Sequence, residues 1–268
     1  MNESQVRQYW EQRLRDGPTL ENTGWLGWGA GFNQWMYRVR ARSFVKRVGA
    51  ELAQFGMPLD RTDVLDIGSG SGFYIDLWKR LGVGRITCCD LTEAAVRALQ
   101  ERYPDVPCTQ TDIGEQTLPY SAETFGAISC MDVLFHIVDD HRYRQALQNC
   151  AKLLKPGGLL IITENALHGE TVRSANQVSR SLAEIEDFLA AAGLTIVERR
   201  PVFVLMNTPI DSGYVALKRF WSLLRACARR YPKIGFIAGA VLYPLELALA
   251  SILREGPSTE MLICRRSR

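Results

Sequence analysis

The sequence predicts an α/β fold with a mostly parallel sheet, and two patterns carry that prediction. From Asp63 onward, short apolar runs alternate with amphipathic segments of about three helical turns. Since parallel neighbours in a sheet need a crossover between them, this alternation indicates successive βαβ units. The connection between the last two predicted strands, 207–257, has strong helical character and is far longer than a hairpin requires.

Each predicted element has a local signal. The strands are short apolar runs, and in chain order they are VLDI, RITCCD, VPCTQTD, FGAISCMD, LLIIT, TIVERRPVFVLM and TEMLICR. We expect the sixth run to be a long strand with a kink at Pro201. The helices between the strands carry caps or stop signals, which are Gly82, Thr92, Asp139 or Asp140, and the Ser181–Glu184 capping box.

The chain of 268 residues suits one domain with additions at two places. We expect a helical cap or lid over 1–60, a central core over 61–206, a helical insertion over 207–257 and a last strand over 258–268.

Composition narrows the possible partners and the compartment. A net charge of +3 is too small to indicate a nucleic-acid partner. The seven cysteines include no C-x-x-C pair, so we expect reduced, mostly buried thiols and no metal site. The polar N-terminus is unlike a secretory signal, and a cytoplasmic protein is expected. No pattern predicts an oligomeric state.

One apolar segment, 234–253, has about the length needed to cross a bilayer. Pro244 and Glu246 lie in its middle, and a carboxylate is costly in lipid. Two interpretations remain, a buried helical pair or pocket-lining insertion, and peripheral membrane or lipid contact through 217–253. Basic residues precede the segment without an intervening acid: Lys218, Arg219, Arg225, Arg229, Arg230 and Lys233.

The stretch LDIGSGSGFY places Gly68, Gly70 and Gly72 directly after the first strand. It lacks the lysine of a phosphate-binding P-loop, and the third glycine of a dinucleotide fingerprint would fall on Phe73. Asp66, at the strand end, would repel a pyrophosphate by a few kcal/mol at ~4 Å. A cationic ligand without phosphate, such as S-adenosylmethionine, is therefore favoured.

Two further acids follow the next strands. Asp90 ends the second strand, where a carboxylate can accept both hydroxyls of a ribose. Either NAD or S-adenosylmethionine would use that acid. Asp112, with Ile113 beside it, follows the third strand and is placed to receive an adenine amino group.

Five segments in order resemble the motifs of class I S-adenosylmethionine-dependent methyltransferases, over roughly 63–205: VLDIGSGSG, CCDLT, TDI, FGAISCMDVLFHI and LLKPGGLLIIT. The resemblance implies a Rossmann-like seven-stranded sheet in the order 3-2-1-4-5-7-6. Its last strand would be antiparallel. The N-terminal helical cap and the helical insertion before that strand, which the element pattern predicts, lie outside this common core. The resemblance implies S-adenosylmethionine as cofactor, contacted by Asp66, Gly68, Ser69, Gly70, Gly72, Phe73, Asp90, Leu91, Asp112, Ile113, Cys130, Met131 and Asp132.

The resemblance also implies methyl transfer, whose main requirement is orientation of the acceptor. A hydroxyl acceptor would need a base, and the candidates are His136 after the fourth strand, His168 in the loop after the fifth and Glu164 at its end. The sequence after the fourth strand, CMDVLF, lacks an N/D-P-P-Y motif, which disfavours exocyclic amines. Aromatic and basic side chains are hypothesised to line the acceptor pocket: Trp25, Trp28, Trp35, Tyr37 and Arg173.

The hypothesis is a methyltransferase for a small molecule, most simply an O-methyltransferase of a natural-product, sugar-containing or lipid-like hydroxyl. Three alternatives stay open. They are C-methylation of an apolar or prenyl-type acceptor, a scaffold that binds S-adenosylmethionine without methyl transfer, and an NAD-dependent oxidoreductase.

Overall fold

The computed structural model describes residues 3–24 and 29–267. In this part of the chain there are nine α-helices: α1 Glu3–Leu14, α2 Leu20–Thr23, α3 Gly29–Gln54, α4 Phe73–Leu81, α5 Glu93–Arg102, α6 Asp140–Leu153, α7 Leu182–Ala191, α8 Val215–Arg230 and α9 Pro232–Ile252. The strands are β1 Val64–Ile67, β2 Ile86–Asp90, β3 Cys108–Gln110, β4 Phe125–Cys130, β5 Leu154–Glu164, β6 Val172–Arg173, β7 Val178–Ser179, β8 Leu194–Pro201 and β9 Glu260–Arg266.

Seven strands form one sheet in the order β3-β2-β1-β4-β5-β9-β8, and β6 with β7 forms a separate short hairpin. Only β9 runs against its neighbours β5 and β8. Counted by sheet strands alone, this is the order 3-2-1-4-5-7-6 with an antiparallel last strand. The predicted fold is therefore confirmed.

Apolar strands build the centre of the sheet because helices cover both of its faces. All four residues of β1 and all six of β4 are buried. One apolar cluster joins α3, α4, α5 and parts of α8 to one face, around Trp78 and Phe44. A second cluster joins α6 and α7 to the other face, around Tyr143 and Leu147.

Helix starts follow the predicted caps. Thr92 Oγ1 accepts from the backbone N of Ala95 at 3.3 Å, which starts α5. Ser181 Oγ accepts from the backbone N of Glu184 at 3.2 Å, which starts α7. The other half of the predicted capping box does not form, because the backbone N of Ser181 donates to Thr171 Oγ1 and the Glu184 carboxylate accepts from that same hydroxyl. Of the two acids proposed to cap α6, Asp139 is the cap.

The sixth sheet strand is shorter than predicted, because β8 ends at Pro201. The backbone N–H groups of Val204, Leu205 and Met206 do not join the ladder and instead donate to the carboxylate of Glu246. Glu246 lies on α9 and is fully buried. The prediction of one kinked strand through Met206 was therefore wrong, since a carboxylate distant in sequence replaces the strand neighbours.

The insertion is a pair of helices, α8 and α9, joined at Tyr231. α9 packs along α3 at close approach, since a Cβ on Gly239 would lie 2.6 Å from the ring of Trp35. Pro244 stands inside α9 without ending it. Within the described residues this is the one helix long and apolar enough to cross a membrane, with a mean hydropathy of 1.7.

Candidate cofactor and acceptor site

Two adjoining cavities lie where the parallel strands end. The first has a volume of about 570 Å³ and lies over β1, β2 and β4. The second has a volume of about 340 Å³ and lies over β5 and β9. Five residues line both cavities and so form a shared wall between them: Trp10, Thr23, Tyr37, Asp132 and His136.

The glycine turn after β1 is the floor of the first cavity. Gly68, Gly70 and Gly72 all have positive φ angles, of 68°, 49° and 78°. A Cβ on Gly68 would lie 2.3 Å from Val133 Cγ2, so a side chain there would collide with the β4 loop. Gly68, Ser69, Gly70 and Phe73 line the cavity, whereas Gly72 starts α4 against the ring of Tyr103.

Asp66 lies behind the glycine turn rather than in the cavity wall. Its Oδ1 accepts from Ser129 Oγ at 2.5 Å, and its backbone O accepts from Ser69 Oγ at 2.9 Å. Burial raises the pKa of the Asp66 carboxyl to about 6. The buried Oδ2 has no hydrogen-bond partner among the described residues. The sequence predicted Asp66 as a cofactor contact, and the structure places it beneath the glycine turn, outside the lining of the cavity.

Asp90 connects the glycine turn to the end of β2. Its Oδ2 accepts from Gly70 N at 2.9 Å, and its Oδ1 accepts from the N and Oγ1 of Thr92 at 2.9 and 2.8 Å. A carboxylate offers about four acceptor positions, so three are used and one remains on a side chain that lines the cavity. Burial raises the pKa of this carboxyl.

The far end of the first cavity is formed after β3. Asp112 and Ile113 line it, as does Leu91 after β2. Asp112 is itself held in place, since Oδ2 lies 2.9 Å from Arg142 Nη2 and Oδ1 accepts from Gly114 N at 2.9 Å.

The first cavity is closed by a helix that sequence reasoning did not assign to the site. Val6, Trp10 and Leu14 of α1 line it, and their spacing of four residues places them on one helix face. Glu11 fixes α1 by accepting from the backbone N of Glu93 and Ala94, both at 3.1 Å. The apolar spacing in α1 was the signal that could have found this roof. Other lining residues that were not predicted as site residues are Thr23, Ile67, Ser71, Tyr74, Thr111, Val133, Ile137, Val138, Asp139 and Arg142.

The end of β4 carries a strained residue in the shared wall. Asp132 has φ 59°, a left-handed conformation that is uncommon for a residue with a side chain. Its backbone N donates to Thr163 Oγ1 at 2.6 Å, and its carboxylate pairs with Arg40. Met131 also lines the first cavity, whereas Cys130 is buried within the sheet. Strain of this kind is often found at functional sites.

His136 follows in a short 3₁₀ turn and has a defined tautomer. Nδ1 lies 2.9 Å from the backbone O of Asn176, so Nδ1 carries the proton and donates. Nε2 then holds a lone pair. Burial lowers the pKa of the imidazole, which keeps the ring neutral at neutral pH. Trp10 packs edge-on against it, with ring centroids 5.1 Å apart.

The second cavity is polar. Asn207 Nδ2 donates to Thr259 Oγ1 at 3.1 Å, and Thr259 Oγ1 donates to Asn165 Oδ1 at 3.3 Å. Two further hydroxyls in its lining, Thr208 Oγ1 and Ser258 Oγ, are buried and have no partner in the described part of the chain.

Two candidate bases lie outside both cavities. His168 is half exposed and is held by Asp211 and Glu255. Glu164 is fully buried, accepts from Tyr143 Oη at 3.0 Å, and has a pKa raised to about 7 by burial. Of the three candidates, the structure places only His136 at the cavities.

The predicted acceptor residues are similarly divided. Tyr37 lies in the shared wall. Trp35 instead packs between α3 and α9, against Phe236 and Tyr243. Arg173 is exposed and pairs with Asp140. Two remaining candidates lie outside the described residues: Trp25 and Trp28.

A family model described as a methyltransferase domain matches residues 65–162, which include the glycine turn, Asp90 and His136. Residues 65–162 are therefore similar to a methyltransferase domain, for which the sequence motifs imply S-adenosylmethionine as cofactor. The residues of the first cavity fit that cofactor. Asp90 has an open acceptor position beside Gly70, and in the described lining the cation Arg142 is paired with Asp112 rather than placed to receive a phosphate.

Curated relatives share part of the sequence. A ubiquinone biosynthesis O-methyltransferase from Rhizobium rhizogenes is 28% identical over 202 residues, 68% of this chain and 75% of the relative. Another from Paracidovorax citrulli is 33% identical over 106 residues, which is 38% of this chain and 42% of the relative. The match to this chain therefore spans less than half of the second relative.

The fold is shared with magnesium protoporphyrin IX methyltransferase from Synechocystis PCC 6803. That structure has a TM-score of 0.57 and 16% identity, and the match covers 98% of this chain and 96% of that one. At this identity the likeness establishes the fold.

Proposed function

We propose that the protein transfers a methyl group from S-adenosylmethionine to a hydroxyl of a small organic acceptor. The acceptor would be a natural-product, sugar-containing or lipid-like molecule held in the second cavity. The observation that carries the proposal is the shared wall, where His136 and Asp132 face a cavity suited to a cofactor and a separate polar one. Two curated relatives named as O-methyltransferases support oxygen as the accepting atom.

The chain's own contribution is positioning and proton transfer. When bound, the cofactor supplies an activated methyl group and leaves as S-adenosylhomocysteine. Held orientation of two reactants can lower a barrier by about 7–11 kcal/mol. His136 Nε2 accepts the proton that the hydroxyl releases as its oxygen bonds to the methyl carbon, since Nδ1 is occupied by the Asn176 carbonyl.

The polar lining supplies acceptor recognition. Ser258 and Thr208 hydroxyls lack partners among the described residues, so an acceptor hydroxyl or carbonyl can bond to them without displacing an existing hydrogen bond. The volume of about 340 Å³ is at the lower end for small-molecule sites, which favours a compact acceptor group.

The test is product identification after incubation with S-adenosylmethionine carrying a labelled methyl group and a panel of phenols, sugars, amines and prenylated rings. We expect the label on oxygen, found by mass spectrometry and NMR, with one S-adenosylhomocysteine formed per product. Label on carbon or nitrogen, or cofactor binding without turnover of any acceptor, would contradict the proposal and favour C-methylation or a non-methylating scaffold.

A further inference from the structure

The outer face of α9 is apolar and lies in solvent. Ile234, Ile237, Val241, Leu245 and Ile252 recur at three- or four-residue steps or their sums, so they lie along one side of the helix. Their exposed fractions run from 46% to 74%. A 21-residue helix is about 30 Å long, so these residues make a continuous strip, called here the α9 strip. An exposed strip of this size marks a contact surface.

Exposed basic side chains lie on both sides of α9, and those named in this paragraph are called here the bordering cations. Arg38, Arg42 and Lys46 recur every four residues on the exposed side of α3. Together with Arg80 of α4 they line a groove that Tyr243 of α9 closes. Arg42 and Lys46 line a second groove against Leu247, Ala248 and Ser251. On the other side, α8 and the start of α9 add exposed cations: Lys218, Arg219, Arg225, Arg229, Arg230 and Lys233.

Two long segments that carry most of these cations have no acidic residue. Residues 22–50 and 212–245 contain no Asp or Glu. Within residues 3–24 and 29–267, none of the bordering cations forms an ion pair. The surface therefore combines a long apolar strip with uncompensated positive charge, the pattern of helices that lie in a membrane interface.

We propose that the α9 strip and its bordering cations dock the protein on the surface of a bilayer with anionic head groups. The apolar side chains enter the interface, and the cations contact the head groups. The proposal concerns binding alone and does not rest on the proposed methyl acceptor.

Two other arrangements fit the surface less well. A spanning helix would expose Glu246, which is buried on the opposite side of α9 and binds three backbone N–H groups. A symmetric dimer through the same face would set the cations of one copy against a surface that is also basic, where like charges repel.

Docking also brings the acceptor cavity near the bilayer. Thr208 lines the second cavity, and α8 begins seven residues later at Val215. A groove that contains Thr208 and Ile210 also contains Lys218 and Trp221 of α8. The loop that carries acceptor-cavity residues therefore continues directly into the docking surface.

The experiment is flotation of the full chain with vesicles of phosphatidylglycerol and phosphatidylcholine, compared with vesicles of phosphatidylcholine alone. We expect binding to the anionic vesicles and a loss of about tenfold or more on the neutral ones. The double variant Ile237→Glu/Val241→Glu should lose binding. Ala183→Glu/Ala190→Glu on α7 is the matched control, because both residues are exposed, the two added charges are the same, and α7 covers the opposite face of the sheet.

A second pair of variants tests the contribution of the basic side chains separately from that of the apolar strip. Arg42→Gln/Lys46→Gln should weaken binding to anionic vesicles by about tenfold or more. Arg144→Gln/Lys152→Gln on α6, on the opposite face of the sheet, should leave it unchanged. Light scattering without vesicles and cofactor binding check assembly and folding. The proposal is overturned if the wild type fails to float, if Ile237→Glu/Val241→Glu floats as well as Ala183→Glu/Ala190→Glu, or if the chain is a dimer that Ile237→Glu/Val241→Glu dissociates.

Discussion

Asp90 serves two structural purposes at the residue scale. Its carboxylate accepts three hydrogen bonds that shape the glycine turn and the start of α5, and it faces the first cavity. The sequence position after β2 indicated a ribose contact, but the hydrogen bond from Gly70 joins residues twenty positions apart and requires the folded sheet.

We expect Asp90→Asn to weaken S-adenosylmethionine binding by about ten- to a hundredfold, because hydrogen bonds to a charged group contribute about 1.5–3 kcal/mol. Isothermal titration calorimetry measures the affinity of each variant for S-adenosylmethionine. Asp105→Asn, an exposed carboxylate paired with Lys79, is the control. Equal affinity in Asp90→Asn and wild type would remove Asp90 from the cofactor site.

His136→Gln should lower the methyl-transfer rate by about 10²- to 10⁴-fold while the cofactor affinity changes little, because a general base acts in the chemical step. Burial lowers the pKa of His136, so in the wild type the rate should hold its plateau below the ordinary histidine pKa of about 6.5 and fall only at more acidic pH. The control is His141→Gln on α6. If the methyl-transfer rate of His136→Gln falls at acidic pH in the same way as that of the wild type, a group other than His136 causes the fall.

The sequence could predict site residues where a strand end fixes them, and not where packing fixes them. Gly68, Asp90, Asp112 and His136 follow strand ends and line the first cavity. Trp35 is an aromatic residue of the type expected in an acceptor pocket. Its ring instead packs against Gly239 on α9, where the lack of a side chain leaves room for it. Ser258 had no pattern at all, since its place depends on the insertion folding beside β9.

At the element scale, the contact between α3 and α9 depends on the missing side chain of Gly239. A Cβ there would lie 2.6–2.9 Å from three atoms of Trp35. We expect Gly239→Ala to lower the free energy of unfolding by about 1–3 kcal/mol through overpacking. Urea unfolding of the variant and the wild type measures this change in the free energy of unfolding.

Gly213→Ala is the matched control, because no atom lies within 4 Å of its added Cβ and its φ is not in the left-handed range. It should change the unfolding free energy by less than about 0.5 kcal/mol. Equal effects of the two substitutions would show that α9 can move away from α3 at little cost.

Elements with local signals were predictable, and those with distant partners were not. The capping residues Thr92 and Ser181 act within three residues, and they start α5 and α7 as predicted. The end of β8 at Pro201 depends on Glu246. Its carboxylate accepts from the backbone N–H groups of 204–206, which lie 40 to 42 residues earlier in the chain. Periodicity holds no information about such a partner.

At the scale of the whole molecule, His168 joins three segments. It contacts Asp211 before α8 and Glu255 after α9, while itself following β5. Hydrogen bonds with Asp211 and Glu255 raise the pKa of this imidazole. Because the folded pKa lies above the unfolded one, the contribution to stability is full below the ordinary pKa of about 6.5 and is lost as pH rises through the folded pKa.

The His168→Gln variant should therefore be less stable than the wild type at mildly acidic pH, by about 1 kcal/mol or less because the site is half exposed. The difference should shrink as pH rises. Urea unfolding across the pH series measures it, with His141→Gln as control. If the difference in unfolding free energy stays constant or grows with pH, the protonated His168 imidazole does not stabilise the fold.

The central claim is that methyl donor and acceptor meet at the wall shared by the two cavities. A crystal structure with S-adenosylhomocysteine tests it most directly. We predict the adenine beside Asp112 and Ile113, the ribose on Asp90, and the sulfur toward Tyr37, Asp132 and His136. A sulfur that points away from the second cavity, or a nucleoside bound within it, would contradict the account.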